Sequence, residues 1–160
     1  MRSTVQLTAR KRLLILLAGS ALILRPQAIR AAANHCTLQV SPIIFAPYDP
    51  LTDFDTSAHG TISFNCSQSQ LITIVVRAGN GGAIGDRVMS RGMGGLHYNV
   101  FADAAGGIIW GDGQGTQFYS NPNPPPNVNV TLPIYARIAP RQNRAAAGAY
   151  RDTLVVTIIF

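Results

Sequence analysis

Glutamate is absent from this 160-residue sequence, and lysine occurs once, as Lys11. All seven carboxylates are therefore aspartates. Without Glu, the spaced trio Asp49, Asp53 and Asp55 does not complete a standard calcium loop, and no two carboxylates stand as an acid/base pair. Cysteine is equally scarce: Cys36 and Cys66 are too few for a metal site, and His35, His59 and His97 are not spaced as a cluster. No Gly-x-Ser-x-Gly elbow is present. Gly79-Asn-Gly-Gly-Ala-Ile-Gly85 lacks a lysine and a following helix, so it reads as a flexible turn and not as a phosphate cradle. No segment carries a helical period, and no apolar run reaches the roughly 20 residues a bilayer span needs. The chain reads as non-enzymatic and without a cofactor.

What the sequence does have is organised in two parts. Arg2 and Arg10-Lys11-Arg12 precede an apolar run from Leu13 to Leu24, and small residues follow up to Ala31-Ala32-Ala33. A basic start, a short apolar run and a small-residue cleavage site describe a secretory signal peptide. We expect residues 1–33 to be removed, leaving a mature domain of residues 34–160 with no stable membrane insertion. Six of the thirteen basic residues lie in that leader, namely Arg2, Arg10, Lys11, Arg12, Arg25 and Arg30. The remaining seven arginines balance the seven aspartates. The basic pI thus belongs to the leader, and a basic patch for nucleic acid is excluded.

Both cysteines fall in the exported part, where an oxidising compartment favours a Cys36–Cys66 disulfide. The composition is rich in Gly, Pro, Thr, Val and Ile, which suits strands and turns. Alternation predicts strands over Cys36–Val40, resuming at Ile43-Ile44-Phe45 after Pro42, and over Gly60–Cys66 with Ile62, Phe64 and Cys66 inward. Further strands are expected at Leu71–Ala78, which is apolar on both faces and so central, at Arg87–Met89, at Leu96–Ala102, at Ile108–Trp110 and at Val128–Ile138. Asn121–Asn127 is a proline-stiffened loop. About seven strands separated by turns suit an all-β, immunoglobulin-like antiparallel sandwich. Trp110 with Tyr119 offers a candidate stacking surface, with core or turn packing as the alternative.

Tyr150–Phe160 reads as one long terminal strand with Leu154, Val156, Ile158 and Phe160 on one face. Such a strand needs burial and a partner on each edge, or it becomes an aggregation site.

Particular residues also resemble a known family. Cys36…Pro-Ile-Ile-Phe-Ala-Pro-Tyr-Asp-Pro50, Gly60-Thr-Ile-Ser-Phe-Asn-Cys66, Gly95-Leu-His-Tyr-Asn-Val-Phe-Ala-Asp103, Trp110-Gly-Asp-Gly113, Ile134-Tyr-Ala-Arg-Ile138 and Gly148–Phe160 resemble, in order, the spore coat protein U domain. The resemblance implies an archaic chaperone–usher pilus subunit with an incomplete immunoglobulin-like fold, completed by a donor strand from a partner. It implies a periplasmic chaperone, an outer-membrane usher and other pilus subunits as partners, with passage through the periplasm to the cell surface. Val128–Ile138 and Cys36–Val40 are then candidate groove walls. The expected acceptor-groove residues are Val130, Leu132, Ile134, Leu154, Val156, Ile158 and Phe160, with the Phe160 carboxylate anchored to basic residues of the chaperone. Cleavage after Ala33 leaves only Asn34-His35 ahead of Cys36, which implies a subunit that accepts a strand but donates none, at a fibre terminus or as a minor component. Cleavage after Ala21 would leave Leu22–His35 instead. The competing readings are a tip adhesin that binds a surface or glycan and a self-contained secreted sandwich.

Overall fold

The structure is a computed structural model that describes residues 33–160; the expected leader lies outside them apart from Ala33. Alternating β-branched and polar residues form nine strands: β1 (Cys36–Val40), β2 (Thr56–Cys66), β3 (Ile72–Val76), β4 (Gly82–Ala83), β5 (Asp86–Arg91), β6 (Gly94–Phe101), β7 (Tyr119–Asn121), β8 (Val130–Ile138) and β9 (Val156–Ile159). All the strand pairs are antiparallel, in a six-stranded sheet ordered β1-β2-β8-β6-β5-β4 and a three-stranded sheet ordered β7-β3-β9. The fold is the expected all-β sandwich.

The core lies where the inward faces of the two sheets meet. Ile62 and Phe64 of β2, Ile134, Ala136 and Ile138 of β8, and Leu96, Tyr98 and Val100 of β6 are buried against Ile72, Ile74 and Val76 of β3. Each large apolar side chain removed from water contributes about 1.5–3 kcal/mol before chain entropy is counted. β3 is the middle strand of its sheet, as its two apolar faces require. Pro133 sits in β8 beyond the end of its ladder with β6, which covers only Tyr135–Ile138, so its missing N–H costs that ladder nothing.

Three residue groups tie the sandwich together, namely the cysteine pair, Arg87 and Trp110. Cys36 and Cys66, opposite one another in the β1–β2 register, form the expected disulfide. Arg87, on the inner face of β5, is fully buried. Its guanidinium donates to the carbonyls of Val76 and Trp110 at 2.9 Å each, to those of Arg77 and Ile84, and to the Asn99 side-chain oxygen. One side chain thus joins both sheets and the Trp110 segment. Burial lowers the pKa of Arg87, while Tyr98, Asp152 and Asp112 favour its charged form. Finally, the Trp110 indole N–H donates to the Ile74 carbonyl at 3.1 Å.

The carboxy-terminal segment departs from one long strand. Arg151 pairs with Ser90 of β5 in the larger sheet, whereas β9 pairs with β3 in the smaller one. The crossing is made at Asp152. Its carboxylate accepts the Asn80 and Thr153 backbone N–H groups at 2.7 Å each and the Tyr98 hydroxyl at 2.7 Å. These bonds draw the backbone out of a regular ladder, so only residues 156–159 remain as strand. Gly79 leaves room for this carboxylate, since a Cβ there would stand 1.9 Å from it.

Two stability predictions follow from these bonds. The double variant Cys36→Ala/Cys66→Ala should lose about 2–5 kcal/mol in denaturant unfolding. Arg87→Met should lose about 3 kcal/mol or more, because several buried carbonyls lose their donor at once, and denaturant melts of the purified variant measure it.

Candidate functional site

The two sheets part along one side of the sandwich and enclose a cleft of about 1140 Å³. Its floor is Met89, Leu96, Tyr98, Ile134 and Ile138, with Val76 from the opposite sheet. One wall is the extended segment from Val40 to Tyr48, and the other runs from Gly148 to Leu154 and Val156. The volume exceeds the roughly 300–1,000 Å³ of ordinary small-molecule sites, and the lining is mainly apolar.

The first wall is a strap fixed at its two ends. At one end the Ser41 N–H donates to the Thr61 carbonyl at 2.9 Å, and the Thr61 N–H donates to Ser41 Oγ at 2.7 Å. At the other end the Tyr48 hydroxyl donates to the Ala139 carbonyl at 3.0 Å and accepts the Gln142 N–H at 2.9 Å. Between them, residues 42–47 make no backbone hydrogen bond within the described residues. Pro42 and Pro47 bracket the stretch and bring no donors. Side chains alone hold its middle: Ile43 packs toward Gly60, and Phe45 meets the Tyr98 ring edge-on with centroids 6.4 Å apart.

The second wall is also half-paired. β9 lies at the edge of its sheet and pairs with β3 alone among the described strands. Two polypeptide edges with unused hydrogen-bonding groups therefore flank one apolar cleft. Between them stands Tyr98, whose hydroxyl is pushed well above the usual phenol range by burial and by the bond to Asp152.

Only part of the expected groove set is gathered here. Ile134, Leu154 and Val156 line the cleft. Ile158 packs elsewhere on the core, and Phe160 is 55% exposed. Val130 and Leu132 stand opposite Phe64 and Ile62 of β2, and Leu132 borders a separate, smaller cavity of about 350 Å³. The wall is the strap after β1, with Val40 the one residue of β1 that lines it. The strand expected to resume at Ile43–Phe45 does not form, since Pro42 and Pro47 bracket the stretch, and the alternation that placed Tyr98 inward in β6 gave no sign that it faces a cleft.

Trp110 does not form an exposed stacking surface, being 2% exposed with its N–H bonded to Ile74. Tyr119 is half-buried with its ring 6.0 Å from that of Phe64. Both border the smaller cavity as parts of the packing. Asp49, Asp103 and Asp112 accept backbone N–H groups in their own turns, and Asp53 and Asp55 pair with Arg141 and Arg137. Backbone donors from Gly107 and Ile108 hold Asp103 below its ordinary carboxylate range. Among the described residues no three His, Cys, Asp or Glu side chains are grouped to hold a metal ion.

Comparisons with known proteins agree with this architecture. No curated protein sequence matches the chain significantly. Among solved structures, the chain is similar to one chain of the CsuC–CsuE chaperone–tip adhesion subunit pre-assembly complex from the archaic chaperone–usher Csu pili of Acinetobacter baumannii. The TM-score is 0.58 at 19% identity, over 79% of this chain. The matched region is only 40% of the length of that chain, and the likeness is one of fold. The model of the Spore Coat Protein U domain matches residues 25–157, starting within the expected leader and covering the whole sandwich up to β9. On that match the chain belongs to the Spore Coat Protein U domain family.

Proposed function

We propose that this protein is an exported, non-enzymatic subunit of a chaperone–usher-type pilus or surface fibre, and that its cleft takes a β-strand from a partner chain. The observation that carries the reading is the cleft itself, an apolar trough of about 1140 Å³ flanked by a strap whose residues 42–47 make no backbone hydrogen bond among the described residues and by a half-paired terminal segment. A strand laid there would bond to one or both edges and set alternate side chains on Met89, Leu96, Ile134 and Ile138. The similar structure is a chaperone–subunit complex, which supports a periplasmic chaperone as the first partner, with an usher and further subunits following. Residues 1–33 serve as the export signal in this reading, and the route runs through the periplasm to the surface.

The position in a fibre depends on where the leader is cut. Cleavage after Ala33 leaves two residues before Cys36, too few to span a neighbour's cleft, and makes the subunit terminal or minor. The family match from Arg25 onward marks the alternative, in which residues ahead of Ala33 stay with the mature protein. A tip adhesin is the second reading of the same fold, and it needs a recognition surface other than the buried Trp110.

Two outcomes are expected. Expressed in the periplasm with its cognate chaperone, the chain should be recovered as a one-to-one complex, and Leu154→Asp should abolish recovery of that complex. Expressed without the chaperone, it should aggregate at periplasmic concentrations and stay in solution only when refolded at high dilution with its disulfide intact, the form in which the isolated chain is measured below. A stable monomer with no chaperone complex would instead identify a self-contained sandwich. Mass-spectrometric reading of the mature amino terminus should find Asn34; a start near Leu22 would remove the one-sided assignment.

A further inference from the structure

The cleft is not simply open, because one side chain reaches from wall to wall across its floor. Tyr98 rises from β6 in the middle of the floor. Its ring carries Phe45 of the strap on one side, and its hydroxyl donates to the Asp152 carboxylate of the opposite wall at 2.7 Å. Asp152 is itself fixed by the Asn80 and Thr153 N–H groups, so this anchor is rigid. The strap is not. Residues 42–47 have bonded ends and, among the described residues, no backbone bond between them, and Ile44 in their middle is 79% exposed.

We infer that Phe45, Tyr98 and Asp152 form a latch that sets how far the strap stands from the terminal wall, and so governs admission of a strand to the cleft. The inference rests on the proposed strand uptake for its purpose, but not for its mechanics. A rigid carboxylate orients the phenol, and the oriented ring gives Phe45 a fixed edge-to-face seat. The strap closes onto the floor through that seat and through Ile43. Loss of the hydroxyl frees the ring to turn, and loss of the Phe45 ring removes the contact directly. Either change leaves the end bonds of Ser41 and Tyr48 in place, so the strap bows outward without the sheets unfolding. An incoming strand would displace the Phe45 seat, which makes Tyr98 and Phe45 positioning residues for the rate of uptake.

Cysteine labelling of the full exported chain, purified with its native disulfide, tests the latch with no partner present. Met89→Cys places a thiol on the cleft floor, at a position 8% exposed. Ala136→Cys places one on β8, fully buried in the core and away from the cleft lining. Iodoacetamide should label Met89→Cys roughly fivefold faster when Tyr98→Phe is added, the effect of losing one ordinary hydrogen bond. Phe45→Ala should accelerate it at least as much. Labelling of Ala136→Cys should be unchanged by either. Equal acceleration at both thiols would mean global loosening and would overturn the latch, as would no acceleration at Met89→Cys. Because no partner takes part, failure here leaves the strand-uptake reading standing, and failure of chaperone recovery leaves the latch standing.

Discussion

A β-strand edge facing an apolar trough is the constraint on which the rest of the structure depends. β9 is an edge strand that pairs with β3 alone among the described strands, and its first residue, Val156, lines the cleft. Water can hydrate such an edge only if it also wets the floor of Met89, Leu96, Ile134 and Ile138. The strap relieves part of this conflict by laying Ile43 and Phe45 over the trough, but among the described residues its stretch 42–47 brings no backbone bonds. The domain therefore folds with an open cleft between its layers, and the partner strand proposed above would supply backbone partners and apolar side chains together.

That incompleteness is tolerable because the other parts of the sandwich are tied firmly. The disulfide fastens β1 to the end of β2, so the strap departs from a fixed point. Arg87 sits in a cage of carbonyl oxygens drawn from β3, the turn before β5 and the Trp110 segment. No carboxylate touches its guanidinium, and the charge is balanced by backbone dipoles, with Asp152 and Asp112 acting at longer range. A buried cation held this way demands that every donor be matched, which specifies one mutual placement of the two sheets. Asp152 adds the last tie, where the chain leaves the larger sheet for the smaller. Rigidity is thus concentrated behind the cleft and pliancy at its rim.

The sequence made the regular parts of this fold legible and left the irregular parts hidden. Alternation located β2, β3, β6 and β8 to within a few residues, and the export context paired Cys36 with Cys66. It overextended the terminal strand, because nothing in a period-two pattern reveals that Asp152 will bind Asn80, Thr153 and Tyr98. Arg87 was placed in a short strand with no sign of its burial, since a charged residue announces burial only through partners distant in sequence. For Trp110 core or turn packing was expected ahead of a stacking surface, and the core holds it, through a bond to Ile74 that spans 36 positions. β1 was expected to wall a groove, yet the wall of the observed cleft is the proline-bracketed strap, with Val40 alone from β1. At Asp152 and Arg87 a tertiary hydrogen bond overrides the local pattern, and at the strap two prolines do.

Amide hydrogen exchange on the chain alone and bound to its chaperone addresses the central claim most directly. The account requires new protection at residues 43–46, at residues 153–160, or at both edges of the cleft, with little change along β1 or β7. Protection confined to the outer edges of β1 or β7, with the cleft edges unaltered, would show that the partner docks elsewhere and would contradict the account.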